Sequence, residues 1–282
     1  MPAHDAVVGT SAPENLSAGT ARRLVVTWQH PVSRSIEPVG FLSYDGALYR
    51  FDYVRHALEV ADFQPLLGFE DLRHSYISEA LFPLFAQRVM DPRRPDYHRY
   101  VRRLGLDEDA SPWEQITRSQ GRRQGDSLQL LPEPVIADGQ LSCMFLVNGV
   151  RHVPSRPVIL EGREFRVTGE QVEEALSVLS PGDRLHLVPE PQNPFNPLAV
   201  MVAAGSFTPV GWVPDLLVED LSRLLMHAKV RVTAVHVNGP DAPSHLRLLA
   251  QLMAADVGDF QFFTGRRWQS LAVTDREAPG SQ

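Results

Sequence analysis

Apolar and β-branched runs separated by Pro, Gly and Asp turns dominate the second half of the chain. Two stretches with helical spacing, Gly169–Leu179 and Leu216–His227, interrupt them. The apolar runs predict six strands, at 163–167, 185–188, 199–202, 210–213, 230–237 and 246–252. Many short strands with few helices are typical of a compact β-barrel, so we expect such a domain over residues 157–256.

The first half has a mixed pattern. β-rich runs between residues 22 and 53 flank Asp45-Gly46, a strong hairpin signal. Apolar residues at helical spacing predict helices within 81–89 and 97–104, and Ser111-Pro112 predicts the start of a third. The fold class is therefore α+β: a small β-structure plus helices, followed by a barrel with two short helices.

These patterns divide the chain into two domains, as its length of 282 residues also favours. We expect an N-terminal domain over 21–134 and a boundary near residue 157. Asn148-Gly149 predicts a hairpin that serves as a linker over 135–156. The remaining segments are a flexible arm at 1–20, a C-terminal hairpin at 257–272 that packs between the domains, and a flexible tail at 273–282.

The net charge of −7 excludes a generic polycationic nucleic-acid binder. This charge is uneven: residues 157–256 carry −5, whereas 87–103 carry +4. Lys229 is the single lysine, so nearly every cation is a planar arginine fork suited to phosphate. The arginines of the basic segment are either phosphate ligands or a solvated helix face paired with nearby acids: Arg88, Arg93, Arg94, Arg99, Arg102 and Arg103.

Cysteine and histidine usage gives little catalytic chemistry. Cys143 is the single cysteine, so no intramolecular disulfide can form and a reducing, cytoplasmic setting is expected. The histidines lack metal-ligand spacing, and we expect no metal, no cofactor and no membrane segment. Sequence alone does not show whether the scattered carboxylates converge, which leaves a metal-dependent nuclease open as an alternative.

The most informative segment joins two predicted strands through a loop rich in proline and asparagine. Pro191, Pro194 and Pro197 restrict its backbone, and Phe195 lies at its centre. A rigid loop can present an aromatic side chain to a ligand. The alternative is that Phe195 plugs one end of the barrel.

This segment resembles the HIRAN domain over about residues 160–255. The resemblance rests on Glu190-Pro191, Asn193-Pro194-Phe195-Asn196, Leu198-Ala199-Val200 and Gly211-Trp212-Val213-Pro214. It implies an OB-like fold that captures single-stranded DNA at a 3′ end. It also implies that Phe195 stacks on a base, that Asn196 takes the place of a hydroxyl-reading aspartate, and that Phe165 and Arg166 supply the rest of the pocket.

Residues 36–134 resemble the N-terminal subdomain of HipA-type kinases. The resemblance rests on Val39-Gly40-Phe41-Leu42, the segment Leu81 to Val89, and Gly121 to Leu128. That subdomain holds no catalytic residue, and the chain lacks a Gly-rich phosphate loop followed by lysine. Kinase activity is therefore not expected, and the resemblance implies a partner-binding role instead.

Together these observations predict a non-enzymatic protein that binds single-stranded DNA or DNA ends. The proteins with which such domains are commonly found suggest a role in phage defence, DNA repair or toxin–antitoxin regulation. The alternative is an antitoxin-like protein-interaction module without DNA binding.

Overall fold

A computed structural model describes residues 22–123, 125–160 and 163–273 of the chain. Its smaller sheet is antiparallel, with the strand order β4-β3-β2-β1-β5. The predicted turn at Asp45-Gly46 joins two of its strands. The strands are β1 (Arg23–Gln29), β2 (Ile36–Tyr44), β3 (Tyr49–Tyr53), β4 (Tyr76–Ser78) and β5 (Leu128–Pro132).

Three short helices lie between β4 and β5: α1 (Pro83–Ala86), α2 (Tyr97–Arg103) and α3 (Pro112–Ser119). The helix predicted within 81–89 is only one turn long, because the amides of Arg88 and Val89 bond three residues back. By contrast, α3 begins with the predicted cap. The Ser111 hydroxyl accepts from the amide of Glu114, whose carboxylate accepts from the amide of Ser111.

The larger sheet has seven antiparallel strands in the order β12-β11-β10-β13-β14-β7-β6. All six strands predicted in the second half of the chain are present, one of them outside this sheet. The strands are β6 (Val135–Ala137), β7 (Gln140–Leu146), β10 (Arg184–Pro189), β11 (Val200–Ala204), β12 (Thr208–Trp212), β13 (Val230–Val237) and β14 (Leu248–Ala254). Two further strands, β8 (Val158–Leu160) and β9 (Arg163–Phe165), form a separate hairpin.

The larger sheet curls so that the residue after β7, its sixth strand, meets the end of β12, its first strand. Asn148, just past β7, exchanges two backbone hydrogen bonds of 2.8 and 2.9 Å with Trp212 at the end of β12. This closure is compatible with an OB-like barrel. The two predicted helices are present as α4 (Gly169–Ser177) and α5 (Asp215–Leu225).

The hairpin predicted at Asn148-Gly149 is wrong. The strand before it, β7, pairs with β6 and β14, and the residues after it form a 3₁₀ helix, Val150–Ser155. Gly149 has a φ of +70° and lies against the indole of Trp212, where a Cβ would come within 2.7 Å of the ring. The larger sheet therefore begins before the boundary predicted near residue 157.

The C-terminal hairpin predicted at 257–272 is also wrong, because the structure describes no strand there. Residues 260–271 instead cross from the barrel to the smaller sheet. The Phe263 amide donates to Asp220 of α5 at 2.8 Å, and the Leu271 amide donates to the Tyr53 carbonyl at 2.8 Å. One buried apolar cluster contains residues of both sheets. In the described residues, no helix is long and apolar enough to cross a bilayer.

Candidate nucleic-acid interface

Residues 190–199, the Phe195 loop, connect β10 to β11 and hold the most exposed aromatic side chain among the described residues. Phe195 is 89% exposed. The Asn193 Oδ1 accepts hydrogen bonds from the amides of Phe195 at 2.9 Å and Asn196 at 3.2 Å, which fixes the turn before the tip. The loop therefore presents Phe195 to solvent from a restrained backbone, and Phe195 does not plug the barrel.

Glu190 anchors this loop from below. Its carboxylate is only 1% exposed and accepts from the Arg156 guanidinium at 2.7 and 3.0 Å. It also accepts from Asn193 Nδ2 at 2.6 Å and from Trp212 Nε1 at 2.8 Å. Burial alone would raise the pKa of Glu190, but these donors outweigh it and hold the pKa below its ordinary value. The ionised carboxylate thus ties the loop to β12 and to the segment before β8.

Sequence reasoning missed the role of Glu190. The sequence shows Glu190-Pro191 only as the end of a predicted strand. Its ion-pair partner, Arg156, lies 34 positions earlier in the chain. Nothing local connects the two residues. The signal that could have found the pair is the charge itself, since a carboxylate next to a buried strand end needs a cationic partner.

The structure gives Asn196 a bracing position. Its Nδ2 donates to Asp215 Oδ1 at 2.9 Å, at the start of α5, and its Oδ1 accepts from the Leu198 amide at 2.9 Å. Both polar groups of the predicted hydroxyl reader are therefore engaged within the chain. Its amide keeps one further oxygen lone pair and one further N–H for a ligand.

Phe165 and Arg166 line a different groove, of about 500 Å³, which extends to the β11–β12 turn at Phe207. Phe165 is 43% exposed, and Arg166 lies 3.4 Å from the Glu164 carboxylate. The Phe195 loop joins β11 at its opposite end and does not line this groove. The structure therefore does not gather Phe165, Arg166 and Phe195 into one pocket.

The surroundings of Phe195 are not basic. Residues 191–198 include no charged side chain. Arg156 is neutralised by Glu190, and the other charged group bonded to the loop is the carboxylate of Asp215. The loop can offer an aromatic face to a ligand, but it adds no phosphate clamp of its own.

The arginines of residues 87–103 do not form one free basic face. Arg93 pairs with Asp91 at 2.6 Å and Arg94 with Asp96 at 3.0 Å. Arg103 pairs with Asp241, 138 positions later. Within the described part of the chain, Arg99 and Arg102 are exposed and make no ion pair.

Arg88 is buried, and its side chain is 1% exposed. It pairs with Asp126 and donates to the Leu84 carbonyl. Arg88 thus stabilises the core below α1 and cannot contact a ligand.

Among the residues that the structure describes, no three His, Cys, Asp or Glu side chains group in a way that could hold a metal ion. Cys143 lies buried in β7, and burial raises the pKa of its thiol to about 12. A thiol with that pKa is inert as a nucleophile at neutral pH.

Comparisons with known proteins returned few similarities. No family model matches the chain, and no curated protein matches it. Solved structures similar to part of it include the HIRAN domain of human HLTF, at 14% identity and a TM-score of 0.26, over 42% of this chain and 79% of that one. A protein from Lactobacillus plantarum matches at 14% identity and a TM-score of 0.29, over 41% of this chain and 99% of that one. The resemblance of residues 36–134 to HipA-type kinases stays a prediction.

Proposed function

We propose that the chain binds single-stranded nucleic acid, DNA in the first instance, by stacking an unpaired base on Phe195. The observation that carries the proposal is a fully presented aromatic ring on a loop that Glu190 and Asn193 hold in place. The resemblance of residues 187–214 to the HIRAN motif supports the same role for this loop.

Stacking on an aromatic ring contributes about 1–3 kcal/mol per base and requires a base that is not already stacked in a duplex. Single strands and frayed ends meet this requirement. A preformed loop also loses little conformational entropy on binding, which leaves more of the stacking energy as affinity.

The contacts of Asn196 limit how strongly a strand end can be read. Its amide is neutral and already bonds Asp215 and Leu198, so a terminal hydroxyl gains from it a neutral hydrogen bond without the charge assistance of a carboxylate. Such a bond contributes about 0.5–1.5 kcal/mol. We therefore expect free and blocked 3′ ends to differ by no more than about tenfold in affinity.

Fluorescence anisotropy with labelled oligonucleotides tests the proposal. Single strands with free and blocked 3′ ends and a blunt duplex would be titrated with wild-type protein at two salt concentrations. The Phe195→Ala variant should weaken single-strand binding by about 5- to 150-fold, which corresponds to a stacking energy of about 1–3 kcal/mol. Phe195→Trp should retain the affinity, because it keeps a π face.

Leu67→Ala provides a matched control, since Leu67 is an equally exposed apolar side chain, at 83%, in the other half of the chain. Its affinity should equal that of the wild type. Wild-type protein that binds no oligonucleotide at low salt, or a Phe195→Ala variant that binds as tightly as wild type, would overturn the proposal.

A protein partner is the second candidate, and the absence of charge on residues 191–198 favours it. Aromatic side chains are enriched at the centres of protein interfaces, where charged side chains are depleted. If this function is correct, the protein should have no affinity for any oligonucleotide. The wild type should capture a partner protein in a pull-down, and the Phe195→Ala variant should not. Roles in phage defence, DNA repair or toxin–antitoxin regulation stay predictions.

A further inference from the structure

A groove of about 540 Å³ lies on the surface where three separate parts of the chain meet. The turn after α3 supplies Arg122 and Arg123. The 3₁₀ helix Val150–Ser155 supplies Arg151 and His152, and a second 3₁₀ helix, Ser244–Leu246, supplies His245. We call it the Arg122 groove. Its volume is in the range of small-ligand sites.

The Arg122 groove has an uncompensated positive charge. Among the described residues, Asp126 is the one acidic residue that lines it, and its carboxylate is paired with the buried guanidinium of Arg88. In the part of the chain that the structure describes, Arg122, Arg123 and Arg151 make no ion pair. Three guanidinium groups therefore face one opening without a counter-ion from the described residues.

Arg122 and Arg123 donate to neutral amide oxygens, and Arg151 Nε donates to Nε2 of the His152 imidazole at 3.1 Å. Arg122 Nη2 donates to Gln129 Oε1 at 3.0 Å and to Asn148 Oδ1 at 2.9 Å. Arg123 Nη1 donates to Gln87 Oε1 at 3.2 Å. Neutral acceptors orient the forks but leave their charge to be balanced by a ligand or by solvent ions.

Arg122 is the most desolvated of the three. Its Nε is buried and has no hydrogen-bond partner among the residues that the structure describes, and burial lowers the pKa of its guanidinium. A small cleft behind it also includes Asp215, but that carboxylate bonds Asn196 and makes no ion pair with Arg122. A partly buried cation without a carboxylate is costly, and an incoming anion offsets this cost.

The environment of His245 shows that the cations converge. Burial lowers the pKa of this imidazole, and the positive charges of Arg122 and Arg151 lower it further. Both guanidinium groups therefore lie within electrostatic reach of His245, although 29 positions separate them in the sequence.

We propose that the Arg122 groove binds a phosphate group. Guanidinium forks match the oxygens of phosphate in a bidentate manner, and several forks around one opening suit an anion with more than one charge. The phosphate can belong to a small phosphorylated ligand or to a nucleic-acid backbone. The site uses none of the residues of the Phe195 loop, so it does not depend on the stacking proposal.

The groove and the Phe195 loop share one structural element. Asn148, which orients Arg122, is joined by backbone hydrogen bonds to Trp212, and the Trp212 indole donates to Glu190 beneath the loop. A strand whose phosphate occupied the groove would thus be held next to the element that braces the stacking aromatic.

Isothermal titration calorimetry with inorganic phosphate and pyrophosphate tests the site directly. Arg122→Met and Arg151→Ala should each weaken pyrophosphate binding by at least about tenfold. Arg267→Met is the matched control, because Arg267 is an exposed arginine that pairs with Glu219 and does not line the groove. It should leave binding unchanged.

The Tm of each variant distinguishes a residue that binds the anion from one that only stabilises the fold. Since Arg122→Met removes a desolvated charge, it should fold with a Tm at or above that of wild type while its pyrophosphate affinity falls. Arg151→Ala alters an exposed side chain and covers the case in which the first variant fails to fold. Wild type that binds neither anion, or a folded Arg122→Met that binds pyrophosphate as tightly as wild type, would overturn the proposal.

Two further arms identify the source of the phosphate and the position of the ligand. The first uses a Phe195→Ala background. If adding Arg122→Met there abolishes the remaining affinity for a single-stranded oligonucleotide, the phosphate belongs to a nucleic-acid backbone. If the protein binds pyrophosphate but no oligonucleotide, the phosphate belongs to a small ligand. Bound pyrophosphate should also raise the pKa of His245 in an NMR titration, and no change would place the anion elsewhere and overturn the assignment. The charged and titratable groups that line the groove with His245 are Arg122, Arg123, Asp126, Arg151 and His152.

Discussion

The substitution Glu190→Gln tests whether the buried carboxylate holds the Phe195 loop. One carboxylate oxygen accepts from Asn193, Trp212 and one Arg156 nitrogen, and the other accepts from the second Arg156 nitrogen. A glutamine can keep an acceptor oxygen toward the first three donors. Its NH₂ group then faces the second guanidinium nitrogen, donor against donor.

The loss of stability in Glu190→Gln follows from the hydrogen bond and the negative charge that the substitution removes. A hydrogen bond to a charged group contributes about 1.5–3 kcal/mol, and removing one partner of a fully buried ion pair costs about 3–5 kcal/mol. Because the Arg156 side chain is 25% exposed, water compensates part of the missing charge. We expect Glu190→Gln to lower the free energy of unfolding by about 2–3 kcal/mol at pH 7.

The pH dependence has a definite sign. The pKa of folded Glu190 lies below its ordinary value. The free energy of unfolding that the ionised carboxylate contributes is therefore complete above about pH 4.3 and is lost as the pH falls through the folded pKa. Wild type and Glu190→Gln should therefore converge in stability at acid pH. Urea denaturation followed by tryptophan fluorescence, repeated from neutral to acid pH, measures both effects.

Glu219→Gln is the control, because Glu219 makes an exposed pair with Arg267 at 2.7 Å. It should cost no more than about 1 kcal/mol. A Glu190→Gln cost as small as that of Glu219→Gln, or a cost that persists unchanged to acid pH, would refute the reasoning. Faster hydrogen exchange at the amides of Phe195 and Asn196 in Glu190→Gln would connect the lost stability to the loop.

Three further outcomes test the fold around the site. Gly211→Ala should destabilise the chain by at least about 2 kcal/mol in urea denaturation, because φ is +149° and a Cβ would lie 2.5 Å from the Asn148 carbonyl oxygen; near-wild-type stability would contradict the barrel closure. Ser111→Ala should cost about 1 kcal/mol by loss of the α3 cap, whereas Ser111→Asp should retain most of it. The Cys143 thiol, whose pKa burial raises to about 12, should react with Ellman's reagent only after denaturation, and rapid native labelling would show that β7 is not buried.

The strands of the barrel could be predicted because each is a compact apolar run between turn residues. Their positions from residue 184 to 254 follow directly from that local pattern. The Asn148-Gly149 prediction failed for a nonlocal reason. Its preceding strand finds a better partner in β14, more than a hundred positions away, and Gly149 is needed for contact with Trp212.

The loop could be located from its prolines and asparagines, but the same pattern left open whether Phe195 is exposed or plugs the barrel. The rest of the site depends on partners that are distant in sequence. Arg156 reaches Glu190 and Asp241 reaches Arg103 only in the folded chain. The cluster of arginines in the sequence therefore overstated the free charge of residues 87–103, where carboxylates pair with four of the six.

The most direct test of base stacking places 2-aminopurine at the 3′-terminal position or at an internal position of a single-stranded DNA and records its fluorescence on binding. The structure predicts quenching by wild-type protein that Phe195→Trp preserves and Phe195→Ala abolishes, at saturating protein in each case. Equal quenching by wild type and Phe195→Ala, or none with either, would contradict a stacking role for Phe195.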